Sequence, residues 1–284
     1  MSAAGNSIRS AGPLLVLDCS QRESVVGIAT AGRILERRFV PASGGAGAGN
    51  AAESGERLWV ELESLVAEAG GAPGALGAVA VATGPGGFTG LRVSIALAQG
   101  LGLSLGVPVV GIPSAAVFAR ARALDGARGP WLVALAAKDG SAWCAMVRRV
   151  EVPEAADATL MLDEGAVLDE AGFAARLAEL AATDAAATVE ILADAHLPEA
   201  LRALAHAQGI ACREPSATAA ALVAEAGYRL PAGACDPAAL LPIYAREPEA
   251  VTKWRMRREA TGATAAAAPP QSTAPSNAQE LRDA

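Results

Sequence analysis

The sequence predicts an α/β protein of two lobes, and three observations support this fold class. The chain has 284 residues, and single hydrophobic cores tend to divide beyond roughly 250 residues. Its opening part has the pattern of three consecutive strands followed by alternating helices and strands. A second hairpin pattern begins at Trp131 and repeats the opening loosely. On these signals alone, a single doubly wound sheet remains an alternative.

The first lobe is predicted to span residues 14–113, after a flexible N-terminus over residues 1–13. Short apolar runs predict strands, and apolar residues at helical spacing predict helices. The strands are expected at 14–17, 25–29, 34–40, 79–82 and 107–112, and the helices at 53–69 and 89–105. The second of these helices is apolar almost all round, so it requires burial on more than one side.

The second lobe is predicted over residues 114–215, beginning with a helix that leads out of the first lobe. Strands are expected at 131–136, 143–150, 159–161 and 189–192, and helices at 170–182 and 198–208. A final helix and an extended piece are expected within residues 216–256, returning to the first lobe. Residues 257–284 are rich in Ala, Thr, Pro, Ser and Gln and predict a disordered tail.

Composition excludes several classes of function. The net charge of -7 argues against a chain that binds nucleic acid by itself, because phosphate contacts need clustered Lys or Arg. The four cysteines form no CxxC pair, which predicts neither a disulfide framework nor a zinc site. The most apolar run, over residues 93–110, contains Gly and Pro, and the N-terminus lacks a signal-peptide pattern. We therefore expect a cytoplasmic protein without a membrane partner.

One glycine-rich run, Gly84-Pro85-Gly86-Gly87-Phe88-Thr89-Gly90-Leu91-Arg92, joins a predicted strand to the second helix. Its glycines permit a sharp turn, and Thr89 is placed to cap the helix, whose N-terminus could hold a phosphate. The candidate phosphate or nucleotide residues are Asp18, Ser20, Gly84, Gly86, Gly87 and Thr89. A tight turn with no ligand is the alternative. The run is not a Walker A loop, because no Lys follows its glycines.

The same run resembles the GPGSFTGxR signature of the TsaB (YeaZ-type) family. Leu15 to Ser20 is similar to the family's opening LAIDTS strand. Leu241-Pro242-Ile243-Tyr244, followed by Trp254, is similar to its closing PVYLR…W pattern. The resemblance extends over about residues 14–256, densely as far as Ile112 and thinly through the second lobe.

The resemblance implies an actin-like ATPase (ribonuclease H-like) fold with a degenerate second lobe. It further implies a non-catalytic subunit, with no cofactor of its own, in the synthesis of threonylcarbamoyladenosine in tRNA. The implied partners are a TsaD-like catalytic subunit and a TsaE-like ATPase, with tRNA reached only through the complex and a homodimer as the alternative assembly. The partner surface is expected on the first two helices, at Glu56, Leu58, Leu62, Leu65, Val66, Leu91, Arg92, Ile95 and Gln99.

This sequence departs from the family at two places. Ser54-Gly55-Glu56 replaces a His-Ser-Glu start of the first helix, and Ala136-Ala137-Lys138 replaces an Asp-Ala-Arg run, so a cleft carboxylate is expected to be missing. His196 and His206 are ten positions apart and cannot form the His-x-x-x-His pair of a catalytic TsaD-like protein. An ATP-dependent kinase or ATPase of the actin-like fold, using Asp18 and Ser20, stays the main alternative.

Arg92 lies in the first turn of the second helix, where a cation is unfavourable to the helix dipole. We expect it to pair with a carboxylate, either Glu56 or Glu63 of the first helix or an acid of the partner.

Overall fold

Two sheets of the same strand order make up the fold. The structure is a computed structural model that describes residues 12–40, 50–150, 159–181, 189–245, 253, 254 and 257, without the side chains of 50–54 and 73. The chain divides into two compact units after Ala245, and the first unit holds both sheets. The predicted disordered tail and flexible N-terminus lie almost wholly outside the described residues.

The first sheet has the order β3-β2-β1-β4-β5. Its strands are β1 (Leu14–Asp18), β2 (Ser24–Thr30), β3 (Arg33–Phe39), β4 (Ala78–Gly84) and β5 (Val109–Pro113). The first three strands are antiparallel neighbours, whereas β4 and β5 run parallel to β1. The parallel crossovers are made by α1 (Asn50–Glu68) and α2 (Phe88–Leu105), as the right-handed βαβ connection requires.

The second sheet repeats this order as β8-β7-β6-β10-β11. Its strands are β6 (Trp131–Ala136), β7 (Ala142–Val150), β8 (Thr159–Leu162), β10 (Glu190–Ala193) and β11 (Ala211–Arg213), with β9 (Ala166–Leu168) paired to β7 beside β8. Again three strands are antiparallel and two run parallel to β6. The two-lobed actin-like prediction is confirmed, and the single-sheet alternative is wrong. The short strands β9 and β11 were not predicted.

Helices cover both faces of each sheet. Because side chains alternate along a strand, Leu15 and Leu17 of β1 face α1 and α2, whereas Leu14 and Val16 face the other side. On that side, one hydrophobic cluster joins both sheets through α3 (Ser114–Leu124) and α6 (Ala219–Arg229). The remaining face of the second sheet is covered by α4 (Glu170–Ala181) and α5 (Glu199–Ala207).

Helix α6 reaches the first sheet from late in the chain. Its first residue, Ala219, sits over Gly27 of β2, where an added Cβ would lie 2.5 Å from the Cβ of Ala219. The Ala219 N–H donates to Glu36 Oε2 at 2.6 Å, and Arg38 Nη2 donates to the Ala217 carbonyl at 2.7 Å. The last part of the chain therefore completes the core of the first lobe.

Residues 235–245, which we call the C-terminal strap, also return to the first lobe. The Cys235 N–H donates to the Val109 carbonyl at 3.0 Å, and the Ile243 N–H donates to the Thr83 carbonyl at 2.7 Å. The strap thus runs from the start of β5 to the end of β4.

Candidate functional site

The glycine-rich loop packs directly on the turn that follows β1. A Cβ at Gly86 would lie 2.1 Å from the Ser20 carbonyl oxygen, and one at Gly90 would lie 2.1 Å from the Cys19 carbonyl oxygen. Gly84 has a φ of 97°, in the region that favours glycine. The Gly87 N–H donates to the Ser20 carbonyl at 2.7 Å. These glycines therefore allow two backbones to approach without side chains between them.

The start of α2 differs from the expected phosphate cradle. The helix begins at Phe88 with Gly87 as its N-cap, and no side chain caps it. The capping role predicted for Thr89 is therefore wrong, because Thr89 already lies within the first turn. The Gly87 N–H, which could have faced a phosphate, is bonded to Ser20. Nucleotide binding by this loop stays a prediction.

Asp18 is a buried carboxylic acid at the end of β1, with 1% of its surface exposed. Its Oδ1 accepts the Ser20 N–H at 2.7 Å. Asp18 Oδ2 and Ser20 Oγ are buried without a hydrogen-bond partner among the described residues. Burial raises the pKa of Asp18 from its ordinary value of 3.8 to about 6, although the hydrogen bond from the Ser20 N–H lowers it. The group therefore changes its protonation state in the mildly acidic range.

We expect the contribution of Asp18 to the free energy of unfolding to fall as the pH rises from about 4 to about 6. In this window the folded protein keeps the proton on Asp18, whereas the unfolded chain has lost it. The shift corresponds to roughly 3 kcal/mol in total. Asp18→Asn cannot ionise, so its stability relative to the wild type should rise by most of that amount between pH 4 and pH 7. Urea titrations of both proteins across this range measure it, and parallel pH profiles would contradict it.

A carboxylate does lie beside Ala136, the residue at the equivalent strand end of the second lobe. The Ala136 N–H donates to Asp194 Oδ2 at 2.7 Å, and the His196 N–H donates to Asp194 Oδ1 at 2.8 Å. Asp194 follows β10 and not β6, so the expectation of a missing cleft carboxylate at the end of β6 stays a prediction. Both of its oxygens hold backbone N–H groups. Within the described parts of the chain, no cluster of His, Cys, Asp or Glu could hold a metal ion.

Most of the residues predicted to bind a partner form the core of the first lobe. Six of them lie in the hydrophobic cluster beneath the helices or at its edge, with at most 4% of their surface exposed: Leu58, Leu62, Leu65, Val66, Leu91 and Ile95. Their apolar spacing correctly predicted a buried helix face, but that face packs on the first sheet. The prediction that these six side chains contact a partner directly is therefore wrong. Glu56 is exposed and remains a candidate.

The opposite side of the two helices carries exposed apolar side chains. Trp59 is 42% exposed and Val60 is 52% exposed, although both are large hydrophobic residues. An added Cβ at Gly55 would lie 3.8 Å from Val93 Cγ1, so α1 and α2 run side by side here. We call the outward side of this pair the α1–α2 surface, which consists of Glu56, Trp59, Val60, Glu63, Val93, Ala96, Leu97 and Gly100. The sequence signal for this surface is the aromatic residue at position 59, between the core positions 58 and 62.

Arg92 contacts aromatic rings and not the expected carboxylates. Its guanidinium carbon lies 3.7 Å from the centre of the Phe88 ring, and its Nε donates to the Tyr244 hydroxyl at 2.8 Å. Gln99 Nε2 donates to the Leu240 carbonyl at 3.0 Å. Both side chains therefore hold the C-terminal strap, and the predicted pairing of Arg92 with Glu56 or Glu63 is wrong.

The comparisons with known proteins agree with one another. Residues 48–254 match the family model described as TsaD: tRNA N6-adenosine threonylcarbamoyltransferase. The tRNA threonylcarbamoyladenosine biosynthesis protein TsaB of Buchnera aphidicola subsp. Schizaphis graminum is 42% identical over 65 residues, which are 23% of this chain and 31% of that protein. The chain thus aligns with about a third of this curated relative's length.

Two solved structures share the fold. One is described as an uncharacterized protein with similarity to peptidase YEAZ from Pseudomonas aeruginosa, with 24% identity, 83% of this chain and 100% of that chain covered, and a TM-score of 0.62. The other is YeaZ from Pseudomonas aeruginosa, with 25% identity, coverage of 82% and 99%, and a TM-score of 0.61.

Proposed function

The chain belongs to the TsaD (tRNA N6-adenosine threonylcarbamoyltransferase) family as a TsaB-type member, and from this membership we propose that it takes part in making threonylcarbamoyladenosine in tRNA. Its part is that of a non-catalytic subunit that pairs with a TsaD-like catalytic subunit. A TsaE-like ATPase joins this pair. The tRNA is reached through the complex, in keeping with the chain's net charge of -7.

The observation that carries this proposal is the exposure of Trp59 and Val60 on the α1–α2 surface. Exposed tryptophan is costly in water and is enriched at the energetic centres of protein interfaces. The small residues Ala96 and Gly100 on α2 leave room for another helix to approach closely. The surface therefore suits the packing of helices from a partner.

We expect Trp59→Glu to weaken binding of the TsaD-type subunit from the same organism at least about 30-fold. The reason is that the substitution removes the largest exposed apolar side chain of the α1–α2 surface and puts a charge in its place. Titration calorimetry with the two purified proteins measures the Kd.

Leu124→Glu is the matched control, because Leu124 is 55% exposed at the end of α3, away from the α1–α2 surface. It should bind like the wild type, and both variants should unfold at wild-type temperature. A wild-type chain that does not bind the TsaD-type subunit would refute the proposal, and so would equal affinities of Trp59→Glu and the wild type.

A second candidate function, an ATP-dependent activity of the actin-like fold, is favoured by one observation. Asp18 Oδ2 and Ser20 Oγ are buried, adjacent and without hydrogen-bond partners among the described residues, as in a site prepared for a hydrated cation or a phosphate. Hydrolysis of ATP by the pure protein with Mg²⁺, abolished in Asp18→Asn, would support this function in place of the pairing subunit.

A further inference from the structure

The C-terminal strap contacts the glycine-rich loop at a different point from the turn after β1. A Cβ added at Gly84 would lie 2.8 Å from the Ile243 carbonyl oxygen. The Ile243 N–H donates to the carbonyl of Thr83, the residue before Gly84, at 2.7 Å. Further along the loop, Gly86 and Gly90 lie against the backbone that follows β1. Two segments that are distant in sequence therefore hold the loop between them.

The next residue of the strap contacts the start of α2. The Tyr244 hydroxyl accepts the hydrogen bond from Arg92 Nε at 2.8 Å, and the ring centres of Tyr244 and Phe88 are 5.7 Å apart. The Arg92 guanidinium carbon lies 3.7 Å from the centre of the Phe88 ring. These contacts are at the surface, since Phe88 is 53% exposed. They can therefore break without exposing a large apolar area to water.

The glycine-rich loop covers the end of β1. Asp18 and Ser20 are each 1% exposed, and Gly86 and Gly87 lie against the Ser20 carbonyl oxygen. Asp18 Oδ2 and Ser20 Oγ have no hydrogen-bond partner among the described residues. A buried polar atom without a partner is unfavourable. Hydration of these two atoms when the loop lifts would therefore offset part of the free energy of opening.

We propose that Ile243 and Tyr244 form a latch that keeps the glycine-rich loop closed over Asp18 and Ser20. Release of this latch lifts the loop and opens the end of β1 to solvent and small polar ligands. The strap stays attached when the latch opens, because Leu240 is 6% exposed and belongs to the core of the first lobe. The inference concerns access to the end of β1 and does not depend on the proposed pairing function.

Cys19, which lies between Asp18 and Ser20, reports whether the loop is open. It is 5% exposed, and its backbone and Cβ lie against Gly90 in the first turn of α2. Cys144 is 1% exposed in the core of the second lobe, so it reports unfolding of the whole protein. Burial raises the pKa of each of these thiols to about 12. Both are therefore unreactive until they are exposed.

Tyr244→Ala tests the latch because it removes the ring and the hydroxyl that contact α2. We expect it to raise the rate of Cys19 alkylation by iodoacetamide at least about tenfold, because local opening becomes more frequent, and to leave the rate at Cys144 unchanged. Tyr244→Phe, which keeps the ring, should give a smaller rise at Cys19. Pulse labelling of the folded full chain, followed by mass spectrometry of its peptides, measures both rates.

Tyr228→Ala is the matched control, since Tyr228 is the other tyrosine of the chain and is 48% exposed on α6. It should leave both rates unchanged. An unchanged rate at Cys19 in Tyr244→Ala would overturn the inference, and so would an equal rise in Tyr228→Ala. An equal rise at Cys19 and Cys144 in Tyr244→Ala would also overturn it, because the strap would then stabilise the whole protein and not the loop alone.

Discussion

Gly90→Ala is expected to destabilise the protein by about 4 kcal/mol or more, or to prevent its folding. Gly90 lies in the first turn of α2, and its backbone has an ordinary helical sign of φ. Alanine would otherwise suit this position. The added Cβ would lie 2.1 Å from the Cys19 carbonyl oxygen, which belongs to the backbone and cannot rotate away. Either α2 or the end of β1 must therefore move. Urea unfolding of the purified variant measures the loss.

Gly100→Ala on the same helix is the control for this prediction. Gly100 is exposed, and nothing lies within 4 Å of its added Cβ. We expect a gain of about 0.5–1 kcal/mol, because alanine has the higher helix propensity. If both substitutions changed stability in the same direction and by the same amount, the close approach of α2 to β1 would not be the cause.

Glu225→Leu is expected to cost about 4 kcal/mol of stability. Glu225 on α6 accepts a hydrogen bond from Arg120 Nε on α3 at 2.8 Å, and the two side chains are 1% and 9% exposed. The substitution leaves the Arg120 guanidinium in the core without this carboxylate. Thermal unfolding followed by circular dichroism gives the change in stability.

The double variant Arg120→Met, Glu225→Leu distinguishes the stability lost with the carboxylate from the stability lost through changed packing. Replacing both members of a buried ion pair by apolar side chains of similar size is often neutral, so most of the lost stability should return. A double variant as unstable as Glu225→Leu would show that the volume at this position matters and not the loss of the carboxylate opposite Arg120.

The strands and helices of the first lobe could be predicted because their signals are local. The apolar run from Leu14 to Leu17 predicts a buried strand, and the apolar spacing of α1 predicts which face of that helix is buried. The choice between two lobes and one sheet could not be settled in this way, because strand order depends on pairings distant in sequence. The three-residue strand β11 was missed because so short a segment has no periodicity of its own.

The site was predicted less well than the fold. Apolar spacing on α1 identified a buried face but not what buries it, so core residues such as Leu62 were assigned to a partner. Helix-dipole reasoning identified Arg92 as a residue in need of a partner. Its actual contacts, Phe88 and Tyr244, come together only because the C-terminal strap returns to α2, and no local pattern carries that information.

The position of α6 has a consequence for synthesis on the ribosome. Leu14, Val16 and Val25 of the first sheet are buried in the cluster that α6 completes. At 5–20 residues per second, translation from Leu14 to Ala219 takes roughly 10 to 40 seconds. During that interval the nascent sheet has part of one apolar face uncovered, since α3 is made early but α6 is still missing. The chain should therefore depend on a holding chaperone while it is being made, and it should aggregate when translation stops before α6 emerges.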